Sequence, residues 1–225
     1  TFTTQESLLD ALSQSILSKL QEAIEIKGVA SLIVSGGNTP KALFEILSNT
    51  PFLWEKVRVG LCDERWISAN NDDSNEKLVK EHLLQNYAAS ATFVGMYHEN
   101  DEMPSAERDC SVKIKEILYP FDIVILGMGA DGHTASLFPH NEALEKAFDI
   151  HNESLCISMM PLTAPHMRMS LTRKAILSAK NIYLHIEGKE KFQVYNKALE
   201  GDDMFEMPIR SVLHDRSKNI EVYYR

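Results

Sequence analysis

Cysteine is scarce in this chain. Cys62, Cys110 and Cys156 are the three in 225 residues, far apart and odd in number. A disulfide framework is therefore not expected, and a reduced, cytoplasmic protein is. No apolar run approaches the roughly 18 residues a membrane span needs. No basic segment followed by an apolar one opens the chain, so no signal peptide is expected. Basic residues are in deficit, with Lys+Arg 23 against Asp+Glu 32 and a net charge of −9. No basic block stands out, so nucleic acid is not an expected partner. Such a chain can still hold an anion through a local cluster of donors. Metal-ligand spacings are missing too. No His-x-x-x-His or Cys-x-x-Cys occurs, and Asp131 and His140 are the near partners of His133. No metal is expected.

What is present is a 44% hydrophobic content, enough for one good core. Neither a repeat nor a linker interrupts it, so residues 1–225 are expected to form a single domain. Leu8, Leu9, Leu12, Ile16, Leu20, Ala23 and Ile24 mark a helix from Ser7 to Ile26, closed by Gly28. Ala30 to Val34 predicts a buried strand, and Pro40 suits the first turn of a helix running to about Leu47. Val57 to Cys62, Phe93 to Tyr97, Ile123 to Leu126, Leu155 to Met159, Ile182 to Ile186 and Ile220 to Tyr224 predict further strands. Asn75 to Tyr87, Ser105 to Leu118 and Glu190 to Leu199 predict helices. This alternation implies an α/β fold, with a mostly parallel sheet covered on both faces.

Three polar loops follow strands, and connections of one hand would gather them at one sheet edge. The sharpest is Gly127-Met128-Gly129-Ala130-Asp131-Gly132-His133-Thr134-Ala135-Ser136-Leu137. It places Asp131 and His133 at the mouth of a cleft, where an imidazole can move protons. Its opening matches Gly-x-Gly-x-x-Gly, but no ribose-binding acid follows, so NAD binding is discounted. Ser35-Gly36-Gly37-Asn38-Thr39 offers backbone N–H groups before a helix, a natural anion cradle. An ordinary turn with Thr39 as a helix cap explains it equally well. No Gly-Lys-Ser/Thr follows, so it is not a Walker loop. Asp63-Glu64-Arg65-Trp66 puts two acids and a cation at a strand end. A surface salt-bridge turn is the plain explanation; a guanidinium fork for phosphate and an acid for a sugar hydroxyl are the functional one. Arg168 and Lys189 could join Arg65 in a cationic patch. Cys62, in an apolar strand without an adjacent base, is expected to be a buried thiol rather than a nucleophile. His166 stays open.

Ser35-Gly36-Gly37-Asn38-Thr39-Pro40, Asp63-Glu64-Arg65-Trp66, Gly127 through Pro139, Arg168 before Ser170-Leu171-Thr172, and Gly188-Lys189 occur in that order. Together they closely resemble the 6-phosphogluconolactonase family, from about Ser7 to Tyr224. The related glucosamine-6-phosphate deaminase family shares the sheet and a similar Asp-Gly-His block, usually followed by Asn-Glu-Pro. Here Ser136-Leu137-Phe138-Pro139 stands instead. The resemblance implies a Rossmann-like three-layer sandwich and a cytoplasmic hydrolase of the pentose phosphate pathway. Its partner would be a small sugar-phosphate lactone, with no cofactor, in a monomer or weak homo-oligomer. His133 would be the general base, Asp131 its orienting acid or a loop support, and Arg65 a donor to the developing oxyanion. Ser35, Gly36, Gly37, Asn38 and Thr39 would hold the phosphate with Arg168 and Lys189, and Asp63 would contact substrate. Asn38 stands where Ser or Thr is common, and His140 where Gly is. A deaminase–isomerase and a non-catalytic sugar-phosphate sensor are the competing classes; no basic helix-turn-helix-like extension supports the sensor.

Overall fold

The computed structural model describes residues 1–99, 102–162 and 164–225. The first helix, α1 (Gln5–Lys27), starts where the Thr4 hydroxyl accepts from Ser7 N at 3.1 Å. It ends at Gly28, whose φ of 80° closes the helix in the left-handed region. Leu8, Leu12, Ile16 and Leu20 are fully buried and form the predicted stripe. Then come β1 (Ala30–Val34), α2 (Lys41–Ser48), β2 (Val57–Leu61), β3 (Asp63–Arg65), α3 (Asn75–His82), β4 (Thr92–Val94), α4 (Met103–Ile117) and β5 (Ile123–Leu126). The chain continues through α5 (Leu144–Phe148), β6 (Cys156–Met159), β7 (Arg168–Leu171), α6 (Arg173–Leu177), β8 (Asn181–Ile186), α7 (Lys189–Glu200), α8 (Arg210–Leu213) and β9 (Ile220–Tyr224).

Six strands form a parallel sheet in the order β4-β2-β1-β5-β8-β9. β1 and β5 are buried at every position, as a sheet covered on both faces requires. From β1 the chain steps outward to β2 and β4, then returns past both to β5. Right-handed crossovers in opposite directions put α2 and α4 on opposite faces. Strand order therefore reverses between β1 and β5, and the crevice beyond their carboxyl ends is where such sheets bind ligands.

Two expectations needed correction, and two further features were not foreseen. The helix expected over Asn75 to Tyr87 stops at His82, and Asn86–Ser90 is a separate 3₁₀ turn. Asn86 takes φ 49°, which a continuous helix forbids. The polar segment Asp63–Arg65 is not a loop but a strand. It pairs antiparallel with β7, which pairs with β6, giving a second, three-stranded sheet. Arg168 thus lies in a strand, and the helix after it begins only at Arg173. The cysteines are all free and buried, but two are not far apart in space. Cys110 Sγ and Cys156 Sγ stand 2.9 Å from each other.

At the opposite end of β1 and β5, Asp122 is buried and ties the sheet to α1. It accepts from Lys27 Nζ at 2.7 and 2.8 Å, from Ser31 N at 2.8 Å and from Ser31 Oγ at 3.2 Å. Asp122→Ala leaves the buried Ser31 N–H without this acceptor, so unfolding free energy in urea is expected to fall by about 1–3 kcal/mol. An unchanged denaturation midpoint would show that water replaces the carboxylate without cost.

Candidate active site

A cavity of about 230 Å³ opens at the β1/β5 crevice. Ser35 to Pro40 line it from the β1 loop, Ile125 to Gly129 and His133 from the β5 loop, and Asp63 and Arg65 from β3. The three loops singled out in the sequence therefore do meet. At the end of β1, Ser35 N and Ser35 Oγ both donate to Ile125 O, at 3.1 and 3.0 Å. Ser35 Oγ also accepts from Gly127 N at 3.3 Å. The serine hydroxyl is spent on stitching the two loops together. The backbone N–H groups of Gly36, Gly37, Asn38 and Thr39 have no partner among the described residues. Gly37 has φ 90°, so the turn needs a residue without a Cβ there. Pro40, not Thr39, is the N-cap residue of α2, and no side chain caps the helix. The loop is thus a row of open donors rather than a capping box.

The β5 loop folds back on itself. Gly132 N donates to Gly129 O at 3.1 Å, and Gly129 N to His133 O at 2.9 Å. His133 Nδ1 lies 2.6 Å from Asp131 Oδ1, which also accepts from His133 N at 3.1 Å. Burial raises the Asp131 carboxyl, but the bonds and charge of His133 outweigh this and hold it below the ordinary aspartate range. An ionised Asp131 only accepts, so Nδ1 is the nitrogen that donates to it, and Nε2 is the nitrogen left to face the cavity. Nε2 has no partner among the described residues. Phe138 packs against the ring at 4.6 Å between centroids. Gly129 also lies against the ring, and a Cβ there would overlap the imidazole and come 2.6 Å from Asp131 Oδ1. Gly129→Ala should therefore displace the ring and lower turnover about a hundredfold, as a misplacement near 1 Å does. Wild-type kcat in a Gly129→Ala protein of unchanged Tm would show that the ring position is irrelevant.

Beside this pair, Asp63 accepts from Ser136 Oγ at 2.6 Å through Oδ2, and Oδ1 stays free among the described residues. Arg65 donates through Nη1 to Asp73 O. Arg168 stands directly opposite Arg65 in the β3/β7 ladder and is 6% exposed. Its Nε is buried without a partner among the described residues. Burial lowers its pKa and the Arg65 charge lowers it further, against Asp63, Glu64 and Asp73. Like charges directly opposite destabilise a strand pair, and two cations held there raise the local positive potential of an acidic chain. Arg168 itself lies outside the cavity wall.

Lys189 is exposed and does not line the cavity; Lys191 does. Lys191 Nζ donates to Met128 O at 2.7 Å, and burial pushes its pKa down. The neighbouring β8 end adds His185, buried, with Nε2 3.2 Å from Glu187 Oε1. Sequence reasoning missed Lys191, His185 and Asn75, another cavity-lining residue. His166 stays outside the cavity and reaches Asp73 Oδ2 at 3.4 Å. His140 has φ 56°, a conformation in which glycine is relaxed. Burial drives the Cys62 thiol far up, leaving it inert. Among the described residues no three His, Cys, Asp or Glu side chains gather as a metal site, and no helix is long and apolar enough to cross a membrane.

The family model for glucosamine-6-phosphate isomerases/6-phosphogluconolactonase matches residues 3–222. The chain belongs to this family. A 6-phosphogluconolactonase of Pseudomonas putida is 40% identical over 210 residues, covering 93% of this chain and 86% of its own. One from Rhizobium meliloti is 39% identical over 99% of this chain and 96% of its own. The crystal structure of a 6-phosphogluconolactonase from Shewanella baltica superposes with a TM-score of 0.95 at 44% identity, covering 99% and 95% of the two chains. The fold class expected from the sequence, a mostly parallel sheet flanked by helices in the family's arrangement, is the one observed.

Proposed function

We propose that this chain hydrolyses 6-phospho-D-glucono-1,5-lactone to 6-phospho-D-gluconate in the oxidative pentose phosphate pathway. The observation that carries the proposal is one cavity holding both a carboxylate-oriented imidazole and a row of open backbone donors. The relatives named above support the substrate. The phosphate rests on the N–H groups of Gly36, Gly37, Asn38 and Thr39, with Lys191 as its cation. Arg168 acts through its neighbour Arg65, and Lys189 has no part. The free Asp63 oxygen accepts a sugar hydroxyl.

His133 Nε2 takes a proton from water as the water oxygen attacks the lactone carbonyl. Arg65 stabilises the oxyanion that develops. The intermediate then collapses, the ring C–O bond breaks, and the imidazolium returns the proton to the departing ring oxygen. Asp131 keeps the imidazole in the required tautomer and stabilises its charge. An ester carbonyl is electrophilic enough for this route to use neither cofactor nor metal. Residues 1–225 act in this reading as one sugar-phosphate hydrolase domain in the cytoplasm.

The test offers the chain two sugar phosphates. Acid release from the lactone, with no ammonia from glucosamine 6-phosphate, is the expected result. Ammonia release would replace the hydrolase with a deaminase. The stretch Ser136 to Pro139 bears on that choice, because it carries no acid and its Ser136 hydroxyl is bound to Asp63.

A further inference from the structure

Glu64 is the acid the cavity does not use. It is 0% exposed, although it lies between two residues that line the cavity. Its Oε1 accepts from Arg65 N at 2.7 Å and Asn75 N at 2.8 Å. Its Oε2 accepts from Glu76 N at 2.7 Å and Ser74 Oγ at 3.1 Å. Each oxygen takes two donors, and a carboxylate is the side chain that can receive all of them. Two of these donors are the first N–H groups of α3, where the helix dipole favours negative charge.

The knot fixes Asn75, which is 3% exposed. Its Nδ2 donates to Asp63 O at 2.9 Å. Its Oδ1 is pressed on Gly36 so closely that a Cβ at Gly36 would overlap the carboxamide. A continuous chain of contacts therefore runs from Glu64 through Asn75 to the first open donor of the β1 loop.

We propose that Glu64 and Asn75 are positioning residues that set the site's preference for phosphorylated substrate, by holding Gly36 and the N–H groups after it in place. This rests on the reading of that loop as the phosphate cradle. Both act through the loop, and neither takes part in the proton transfer.

The test measures kcat and KM on 6-phosphogluconolactone and on unphosphorylated glucono-1,5-lactone. Asn75→Ala should raise KM for the phosphorylated lactone about tenfold, the equivalent of one well-placed hydrogen bond. Its kcat and the unphosphorylated reaction should fall far less than this, any shared loss coming from the Asn75 bond to Asp63. Glu64→Gln puts an amide where two donors point, and should raise the same KM at least as far. Gly36→Ala should also raise KM, and adding Asn75→Ala should restore part of that loss, because the overlapping carboxamide is gone. The last pair keeps the test sharp if Glu64→Gln does not fold. A wild-type KM in Asn75→Ala would overturn the proposal. So would equal losses on both lactones, or a double variant as poor as the product of its singles. A wild type with no preference for the phosphorylated lactone would instead overturn the cradle, and this inference with it.

Discussion

Lys191→Ala is expected to raise KM for the phosphorylated lactone by about tenfold to a hundredfold, while Lys189→Ala changes nothing. The two lysines are separated by one residue at the start of α7, and roughly 200° of helical turn divides them. Lys191 lines the cavity with Nζ 2.7 Å from Met128 O, whereas Lys189 faces water. A hydrogen bond to a charged group contributes about 1.5–3 kcal/mol, which gives the expected range. Burial lowers the Lys191 pKa, so the ammonium loses its proton at lower pH than an exposed lysine. Affinity for the product 6-phosphogluconate should therefore weaken as pH rises through the Lys191 titration in wild type and Lys189→Ala, and this step should be missing in Lys191→Ala. Calorimetric titration of the product against both alanine variants reads the effect without the spontaneous opening of the lactone. A larger loss in Lys189→Ala would mean that α7 is rotated from the phase described.

His133→Ala is expected to lower kcat by about 10²–10⁴, the usual contribution of a positioned general base. Product affinity should stay near wild type, because the groups proposed to hold the phosphate, the β1 loop and Lys191 of α7, are separate from His133. Asp131→Asn should lower kcat as well, because an amide at that place can donate to Nδ1 and so favours the wrong tautomer. Loss of binding and turnover in parallel would make His133 a support of the β5 loop instead of its base.

The elements that formed the sheet were legible because they are short, apolar and buried on both faces. β1 and β5 begin and end where the hydrophobic runs do, and β9 spans the expected residues. The loops beyond β1 and β5 were legible for the opposite reason, since glycines and small polar residues cannot continue either strand. β3 and β7 were not. Asp63-Glu64-Arg65 has the composition of a turn, and it becomes a strand only through pairing with residues about a hundred positions away. Glu64 illustrates the same limit: two acids beside an arginine suggest a solvated surface turn, and only the returning N-terminus of α3 buries one of them. Lys189 lies outside the cavity lining and Lys191 within it, a difference of helical phase that a single Gly-Lys-Glu-Lys stretch does not define. Arg168 lies near the site as the cross-strand neighbour of Arg65 and not as part of the cavity wall.

In the mechanism proposed above, an imidazole held by Asp131 opens a phosphorylated lactone in this cavity. Its most direct test is a set of progress curves for freshly made 6-phosphogluconolactone, recorded as acid release with no protein, with wild type and with His133→Ala. Fast opening by wild type and a His133→Ala trace close to the spontaneous one are expected. A wild-type trace that superimposes on the protein-free curve would contradict that mechanism.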